Sequence, residues 1–228
     1  MAEIVLFDLD GTLVDTAPSL NGIVNAMLHE SGLPLLPLAQ ARNLVSRGAR
    51  GLLLRAFGEH RHAARDAELQ SRFIELYEAA SHSESRIFID LAGLFNASSK
   101  ISAYGIVTNK PTRLTELLLA RLDLPRRPDC IVCGDTLDRK KPDPAPLLHA
   151  AAALGANPAD CVYVGDDARD VTAGRAAGMG TLAAAWGYIP PGTDYAAWGA
   201  DGIVRHPSRL AAALASLDRA RETSRSRA

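Results

Sequence analysis

Short apolar runs rich in β-branched and aliphatic residues recur along the chain, at Ile4 to Leu9, Tyr104 to Thr108, Cys130 to Cys133, Cys161 to Gly165 and Thr181 to Ala185. They are continuous rather than alternating, which is how strands buried on both faces of a parallel sheet read. The stretches between them are long enough for crossover helices, so the pattern predicts an α/β fold built on a doubly wound parallel sheet. Between Thr16 and about Ser83 the pattern changes. No strand candidate occurs there, and amphipathic stretches such as Ala17 to Glu30 and Ala63 to Ala80 predict helices, separated at Gly32-Leu33-Pro34 and Gly48-Ala49-Arg50-Gly51. The expected organisation is a core formed by residues 1–15 and 84–228, with a helical cap, residues 16–83, inserted after the first strand. The last stretch, Asp218 to Ala228, is charged and lacks apolar periodicity, so it is expected to fray.

Composition narrows the class. The 228 residues are 47% hydrophobic and 22% charged, enough to bury a large core. Twenty-five basic residues against 26 acidic ones leave a net charge of -1, which offers no electrostatic footprint for nucleic acid or anionic lipid. A small molecule is the expected partner. No apolar run approaches membrane-spanning length and no basic-then-apolar leader opens the chain, so no membrane association is expected. A cytoplasmic protein, monomer or homodimer, is the expectation.

Cysteine and histidine add little chemistry. Cys130, Cys133 and Cys161 are odd in number, which argues against a disulfide framework, and Cys130-Ile131-Val132-Cys133 lacks the second pair that would complete a zinc site. Glu59-His60-Arg61-His62 reads as a solvated surface stretch without matching ligands.

The polar residues that stand out fall where the predicted strands end. Asp8 and Asp10 follow Ile4-Val5-Leu6-Phe7, and Gly11 lets the chain bend there, so both carboxylates can flank one reacting atom. Two like charges held that close repel unless a cation lies between them or one is protonated, so the pair predicts a metal site. Thr108 closes Gly105-Ile106-Val107 and is followed by Asn109-Lys110-Pro111. Lys141 stands in Lys140-Lys141-Pro142-Asp143, and Asp166 and Asp167 end Val162-Tyr163-Val164-Gly165. Ligands of open α/β sheets bind outside the carboxyl ends of the strands, which makes these residues one constellation. Singly, Thr108, Asp166 and Asp167 could cap helices and Lys141 could be a solvated loop lysine.

In this order the motifs Asp8-x-Asp10-Gly11-Thr12, Thr108, Lys141-Pro142 and Gly165-Asp166-Asp167-x-x-Asp170 resemble those of the haloacid-dehalogenase-like phosphohydrolases. The resemblance spans the chain, and the helical insertion resembles the family's cap. Within the family, Val107-Thr108-Asn109-Lys110-Pro111 and Gly134-Asp135-Thr136-Leu137 are similar to segments of the phosphoglycolate phosphatases. A still closer likeness, to bacterial N-acetylmuramic acid 6-phosphate phosphatases, rests on Val45-Ser46-x-Gly48-Ala49-Arg50, Gly165-Asp166-Asp167-x-Arg169-Asp170, Gly187-Tyr188-Ile189 and Trp198-Gly199-Ala200-Asp201.

That resemblance implies a phosphomonoester hydrolase using an aspartyl-phosphate intermediate. Asp8 would be the nucleophile and Asp10 the general acid and base. Mg²⁺ would be held by Asp8, the carbonyl of Asp10 and Asp166. Thr108 and Lys141, with backbone N–H groups around Leu9 to Gly11 and at Asn109, would bind the phosphoryl oxygens. Of Asp167 and Asp170, one would contact metal-bound water or orient Lys141, while Asp170 also suits the first turn of a helix. Arg47, Gly48 and Arg50 form the expected specificity turn of the cap, facing a carboxylate-bearing or sugar phosphate. Two other readings are a sugar-phosphate mutase of the same fold, which would depend on a bisphosphate primer, and a phosphorylatable receiver-like signalling module, which would lack the helical insertion.

Overall fold

The computed structural model describes residues 3–58, 63–80, 82–97 and 101–225; Glu59 to His62 and the last three residues lie outside that set. Six strands form one sheet: β1 (Glu3–Phe7), β4 (Ile101–Val107), β5 (Cys130–Val132), β6 (Cys161–Gly165), β7 (Gly180–Ala184) and β8 (Gly202–Val204). Their order is β5-β4-β1-β6-β7-β8 and every pairing is parallel. β1 is central because its residues are apolar on both faces. Val5 and Phe7 enter one hydrophobic cluster with Tyr104, Ile106, Val162 and Val164, whereas Ile4 and Leu6 enter the opposite one with Val107, Cys161 and Tyr163.

Helices cover both faces: α5 (Leu91–Ala97), α6 (Thr112–Leu119), α7 (Ala145–Ala153), α8 (Ala168–Ala176) and α9 (Leu210–Arg225). The chain first builds from β1 through β4 to β5 and then returns to the other side of β1 with β6. The order therefore reverses beside β1, and a crevice opens at the carboxyl ends of β1, β4 and β6.

The inserted helices are α1 (Ala17–Glu30), α2 (Leu38–Arg42), α3 (Gly48–Phe57) and α4 (Ala63–Ala79). α1 forms because Leu20, Ile23, Val24, Met27 and Leu28 recur at helical spacing, and that stripe packs on Leu52, Leu53, Phe57, Phe73 and Tyr77. The two chain crossings between this helical unit and the sheet lie side by side, because β2 (Val14–Asp15) and β3 (Arg86–Ile87) pair antiparallel. Tyr188 ties the crossing to the core. Its hydroxyl accepts from the amides of Thr16 at 2.7 Å and Ala17 at 2.9 Å and donates to Asp15 at 2.9 Å. No helix among the described residues is long and apolar enough to cross a membrane.

Three sequence expectations change. The segment from Asp218 does not fray at once but continues α9 to Arg225, where the Arg221 guanidinium donates to the Cys161 carbonyl at 3.2 Å. Extending a formed helix costs little, so Leu210 and Leu214, packed into the core, carry the polar end with them. The Gly48-Ala49-Arg50-Gly51 break shrinks to Gly48 alone. A 3₁₀ turn, Val45–Arg47, ends there with a φ of 67°, and Ala49, Arg50 and Gly51 already belong to α3. Lastly, β1 stops at Phe7, short of Leu9, and β4 begins at Ile101, ahead of Tyr104, and stops at Val107, while β6 spans Cys161–Gly165 as expected; Asp8, Thr108 and Asp166 are each the first residue after a strand.

Candidate active site

Asp8 continues the ladder of β1 by one bond, its amide donating to the Val164 carbonyl at 2.9 Å, and its carboxylate then emerges at the reversal point. Lys141 comes to it from the loop beyond β5. The ammonium, only 3% exposed, lies 2.7 Å from Asp8 Oδ1, 2.8 Å from Asp170 Oδ1 and 2.7 Å from the Tyr163 hydroxyl. Tyr163 in turn donates to the Val107 carbonyl at 2.8 Å, which leaves its oxygen to accept from Lys141. The side chain of Asn109 fixes the backbone of Lys141 from both sides, accepting from its amide and donating to its carbonyl, each at 3.0 Å. That clamp is a contribution of Asn109 additional to the backbone one expected from the sequence.

Asp166 is buried beside Asp8. Thr12 Oγ1 donates to one oxygen at 3.0 Å and the Tyr188 amide to the other at 2.7 Å. Carboxylate oxygens of Asp8, Asp166 and Asp170 lie within 4.8 Å of one another. Burial, followed by repulsion from Asp8 and Asp170, raises Asp166 well above the usual carboxylate range. Burial also lifts Asp8 to about 7, with Asp170 and Asp10 adding to the rise and Lys141 opposing it. For Lys141, burial alone would lower the pKa, but Asp170 and Asp8 more than offset it, so the ammonium is kept. A cluster of carboxylate oxygens in which Asp8 and Asp166 resist ionising on their own is what a hard divalent cation fits.

Asp10 keeps different company from Asp8. Thr16 Oγ1 donates to Asp10 Oδ1 at 2.5 Å, and Lys110 Nζ lies 3.1 Å from Oδ1 and 3.3 Å from Oδ2. The chain turns away after Asp10 because Gly11 adopts a φ of 92°, where a Cβ would also stand 2.4 Å from Asp166 Oδ2. The amide of Gly11, expected from the sequence to face phosphate, donates here to the Val14 carbonyl at 2.9 Å. Leu9 and Asp10 show no such commitment of their amides among the described residues. The hydroxyl of Thr108 accepts from the Lys110 amide at 3.1 Å.

Asp167 and Asp170 separate in role. They form a reciprocal capping box at the start of α8, but only Asp170 reaches Lys141. Asp167 is gripped by the Arg169 guanidinium at 2.8 and 2.9 Å, and that pairing, outweighing the effect of burial, holds its carboxyl below the usual range. A cavity of about 460 Å³ lies over Asp8 and Asp10. Its far wall is apolar, formed by Leu20, Val45, Phe73 and Ile74. Arg47, Gly48 and Arg50 line the same space, with both arginines exposed.

Lys110, Tyr163, Tyr188 and Arg169 were not assigned site roles from the sequence. Tyr163 sits in an apolar run that reads as core, Tyr188 and Arg169 stand only in segments similar to the family's, and Lys110 is distinguished only by its tertiary pairing with Asp10.

The model of the haloacid dehalogenase-like hydrolase family matches residues 5–184. A phosphoglycolate phosphatase of Xanthomonas campestris pv. campestris is 45% identical over 207 residues, covering 90% of this chain and 93% of that protein. An N-acetylmuramic acid 6-phosphate phosphatase of Pseudomonas aeruginosa is 42% identical over 217 residues, covering 95% of each. Among solved structures, a predicted phosphoglycolate phosphatase from Haemophilus somnus superposes with a TM-score of 0.80 at 24% identity, covering 92% of this chain and 96% of that one. Full-length likeness to named phosphatases joins the strand-end cluster of Asp8, Asp166, Asp170 and Lys141: the chain belongs to the haloacid dehalogenase-like hydrolases and is a phosphatase of that family.

Proposed function

We propose that the chain hydrolyses a carboxylate-bearing phosphomonoester through an aspartyl-phosphate on Asp8. The observation that carries this is the unequal environment of two carboxylates two residues apart. Asp8 is held against the cationic Lys141 among buried acids, whereas Asp10 stands outside that cluster, between Thr16 and Lys110. Two roles need two environments.

In this reading an Asp8 oxygen attacks phosphorus while the ester oxygen departs and takes a proton from Asp10. Asp10 then takes a proton from water as that water attacks the acyl phosphate, which frees inorganic phosphate and restores Asp8. Lys141, Thr108 and the backbone amides of Leu9 and Asn109 bind the phosphoryl oxygens. Asp170 and Tyr163 keep Lys141 in place. Asp8, Asp166 and the Asp10 carbonyl would hold Mg²⁺, with Asp170 close by. When bound, the ion would supply positive charge between the nucleophile and a dianionic ester.

Residues 16–83 serve as a cap over the core of residues 1–15 and 84–228, and substrate choice is made there. The relatives are named for two esters, phosphoglycolate and N-acetylmuramic acid 6-phosphate, which share a carboxylate. A two-carbon ester would leave much of a 460 Å³ cavity and its apolar wall uncontacted, which supports the larger amino-sugar phosphate. Free Cys130, Cys133 and Cys161 suit a cytoplasmic enzyme, acting as a monomer or homodimer on small molecules.

The test is kcat/KM on N-acetylmuramic acid 6-phosphate, phosphoglycolate, N-acetylglucosamine 6-phosphate and glucose 6-phosphate with Mg²⁺. Preference for the first over its lactyl-free analogue is the expected result. A preference for glucose 6-phosphate would remove the carboxylate from the reading. Turnover that required added sugar bisphosphate would make the chain a mutase.

A further inference from the structure

Lys110 joins three parts of the molecule. It follows β4 in the core, its ammonium contacts both oxygens of Asp10, and the same ammonium lies 5.0 Å from the centre of the Tyr77 ring, which belongs to α4 of the helical unit. Its side chain is only 9% exposed. Keeping a lysine out of water is costly unless its charge is matched, and Asp10 with the face of Tyr77 supplies the match.

The arrangement is well suited to fixing a direction. A carboxylate on a single methylene turns about two soft torsions. One hydroxyl, that of Thr16, restrains one oxygen, whereas a cation spanning both oxygens also restrains the plane of the group. Lys110 is itself constrained. Its amide donates to Thr108 Oγ1 at 3.1 Å, which folds the loop back toward β1. Tyr77 donates through its hydroxyl to the Leu114 carbonyl in α6 at 3.2 Å, and the His82 ring packs 4.2 Å from it, so the aromatic face over Lys110 is braced by core and cap together.

We propose that Lys110 is a positioning residue for Asp10, holding the carboxyl group in the attitude that meets the leaving oxygen, and that Tyr77 makes this hold depend on the seating of the cap. The inference rests on the reading of Asp10 as acid and base. The two lysines thus divide the Asp8-x-Asp10 pair, with Lys141 serving the nucleophile and Lys110 serving the proton carrier.

The experiment compares kcat/KM for esters of poor and good leaving groups. This constant covers steps only through phosphoryl transfer, where proton donation matters for an alkoxide and far less for a nitrophenolate. Lys110→Met keeps the aliphatic stem and removes the charge. It is expected to lower kcat/KM about a hundredfold on N-acetylmuramic acid 6-phosphate and phosphoglycolate, and several-fold less on 4-nitrophenyl phosphate. Lys110→Arg should restore part of the loss. Tyr77→Leu, which leaves Lys110 in place, should show the same leaving-group dependence at about a tenth of the size and serves if Lys110→Met does not fold. An equal loss on all esters, or a loss confined to KM, would overturn the positioning role. Asp10→Asn separates the two layers: if it shows the leaving-group dependence and Lys110→Met does not, only the role of Lys110 falls, and if Asp10→Asn lacks the dependence, both fall.

Discussion

Arg169, adjacent in sequence to Asp170, donates through Nη2 to the main-chain carbonyl of Ser46 at 2.6 Å, 123 positions away. The same guanidinium grips Asp167 through two bonds. One side chain therefore joins the first turn of α8, directly after Asp166, to the 3₁₀ turn that leads into Gly48. That turn, which lines the cavity, is thereby registered to the acidic cluster.

Arg169→Ala is expected to loosen that register without touching the chemistry on phosphorus. KM for N-acetylmuramic acid 6-phosphate should rise about threefold to tenfold, chiefly from losing the bond to Ser46 that joins the turn to α8, while kcat changes less. Arg169→Lys should not restore it, because a single ammonium cannot hold Asp167 and reach Ser46 as a planar fork does. A fall in kcat at constant KM would assign Arg169 to the acidic cluster instead.

Asp8→Asn should abolish turnover while the fold persists, since the amide keeps the volume and can still accept from Lys141 but cannot attack phosphorus. No phosphoenzyme should be trapped after acid quench. Asp10→Asn should form the phosphoenzyme slowly and hydrolyse it slowly, because both half-reactions draw on the same carboxyl group. A phosphoryl group recovered on Asp10 would exchange the two roles.

The parts of the site that stand at strand ends were legible in the chain. Asp8, Thr108 and Asp166 each break an apolar run, and a polar residue at such a break has few structural duties to explain it. Asp170 was readable in two ways, as a partner of Lys141 and as a helix-start acid, and it does both. What sequence reasoning could not reach is held by tertiary pairing alone. Lys110 looks like any loop lysine until Asp10 is placed beside it, Tyr163 reads as core because its ring is core while only its hydroxyl faces polar partners, and the hydroxyl of Tyr188 meets Thr16, Ala17 and Asp15 only in the folded chain. In the fold, β2 and β3 are two residues each, too short for any alternation to register, and β8 has three. Gly11 was readable in two ways, as a place where a ligand can come close and as a turn residue, and the structure shows the turn.

Stability should depend on pH and divalent metal together. The pKa of Asp8 is raised from an ordinary 3.8 to about 7, and that of Asp166 is raised too, so the metal-free folded protein binds protons that the unfolded chain has released. For a raised acid the stabilisation is fully present below about pH 4 and is lost as the pH rises through about 7. Opposite contributions come from the lowered Asp167, which falls below that window, and from His82, whose pKa is pushed below the usual 6.5 by burial so that stability rises with pH there; two raised buried carboxylates are expected to outweigh that one imidazole. The metal-free melting temperature should therefore decline between pH 5.5 and pH 8. Excess Mg²⁺ should raise it more at pH 8, where the carboxylates are ionised and ready to bind. An equal rise at both pH values, or a larger one at pH 5.5, would detach the acidic cluster from metal binding.

Arg50 tests where the substrate's carboxylate goes. It lies in the first turn of α3, two residues after Gly48, and with Arg47 it lines the cavity from the side of the inserted helices while remaining exposed. A guanidinium that contacts a carboxylate inside a closed cap contributes a directional, charge-assisted bond, whereas one that stays in water contributes almost nothing. Arg50→Ala should accordingly lower kcat/KM for N-acetylmuramic acid 6-phosphate by about tenfold to a hundredfold, with a clearly smaller loss on N-acetylglucosamine 6-phosphate, which lacks the lactyl carboxylate. Arg47→Ala follows the same rule if it shares the contact. The paired substrates decide the matter, because they differ only in the group that Arg50 is expected to bind. Equal losses on both would mean that the turn serves closure of the cap, and no loss on either would return Arg50 to the solvated surface.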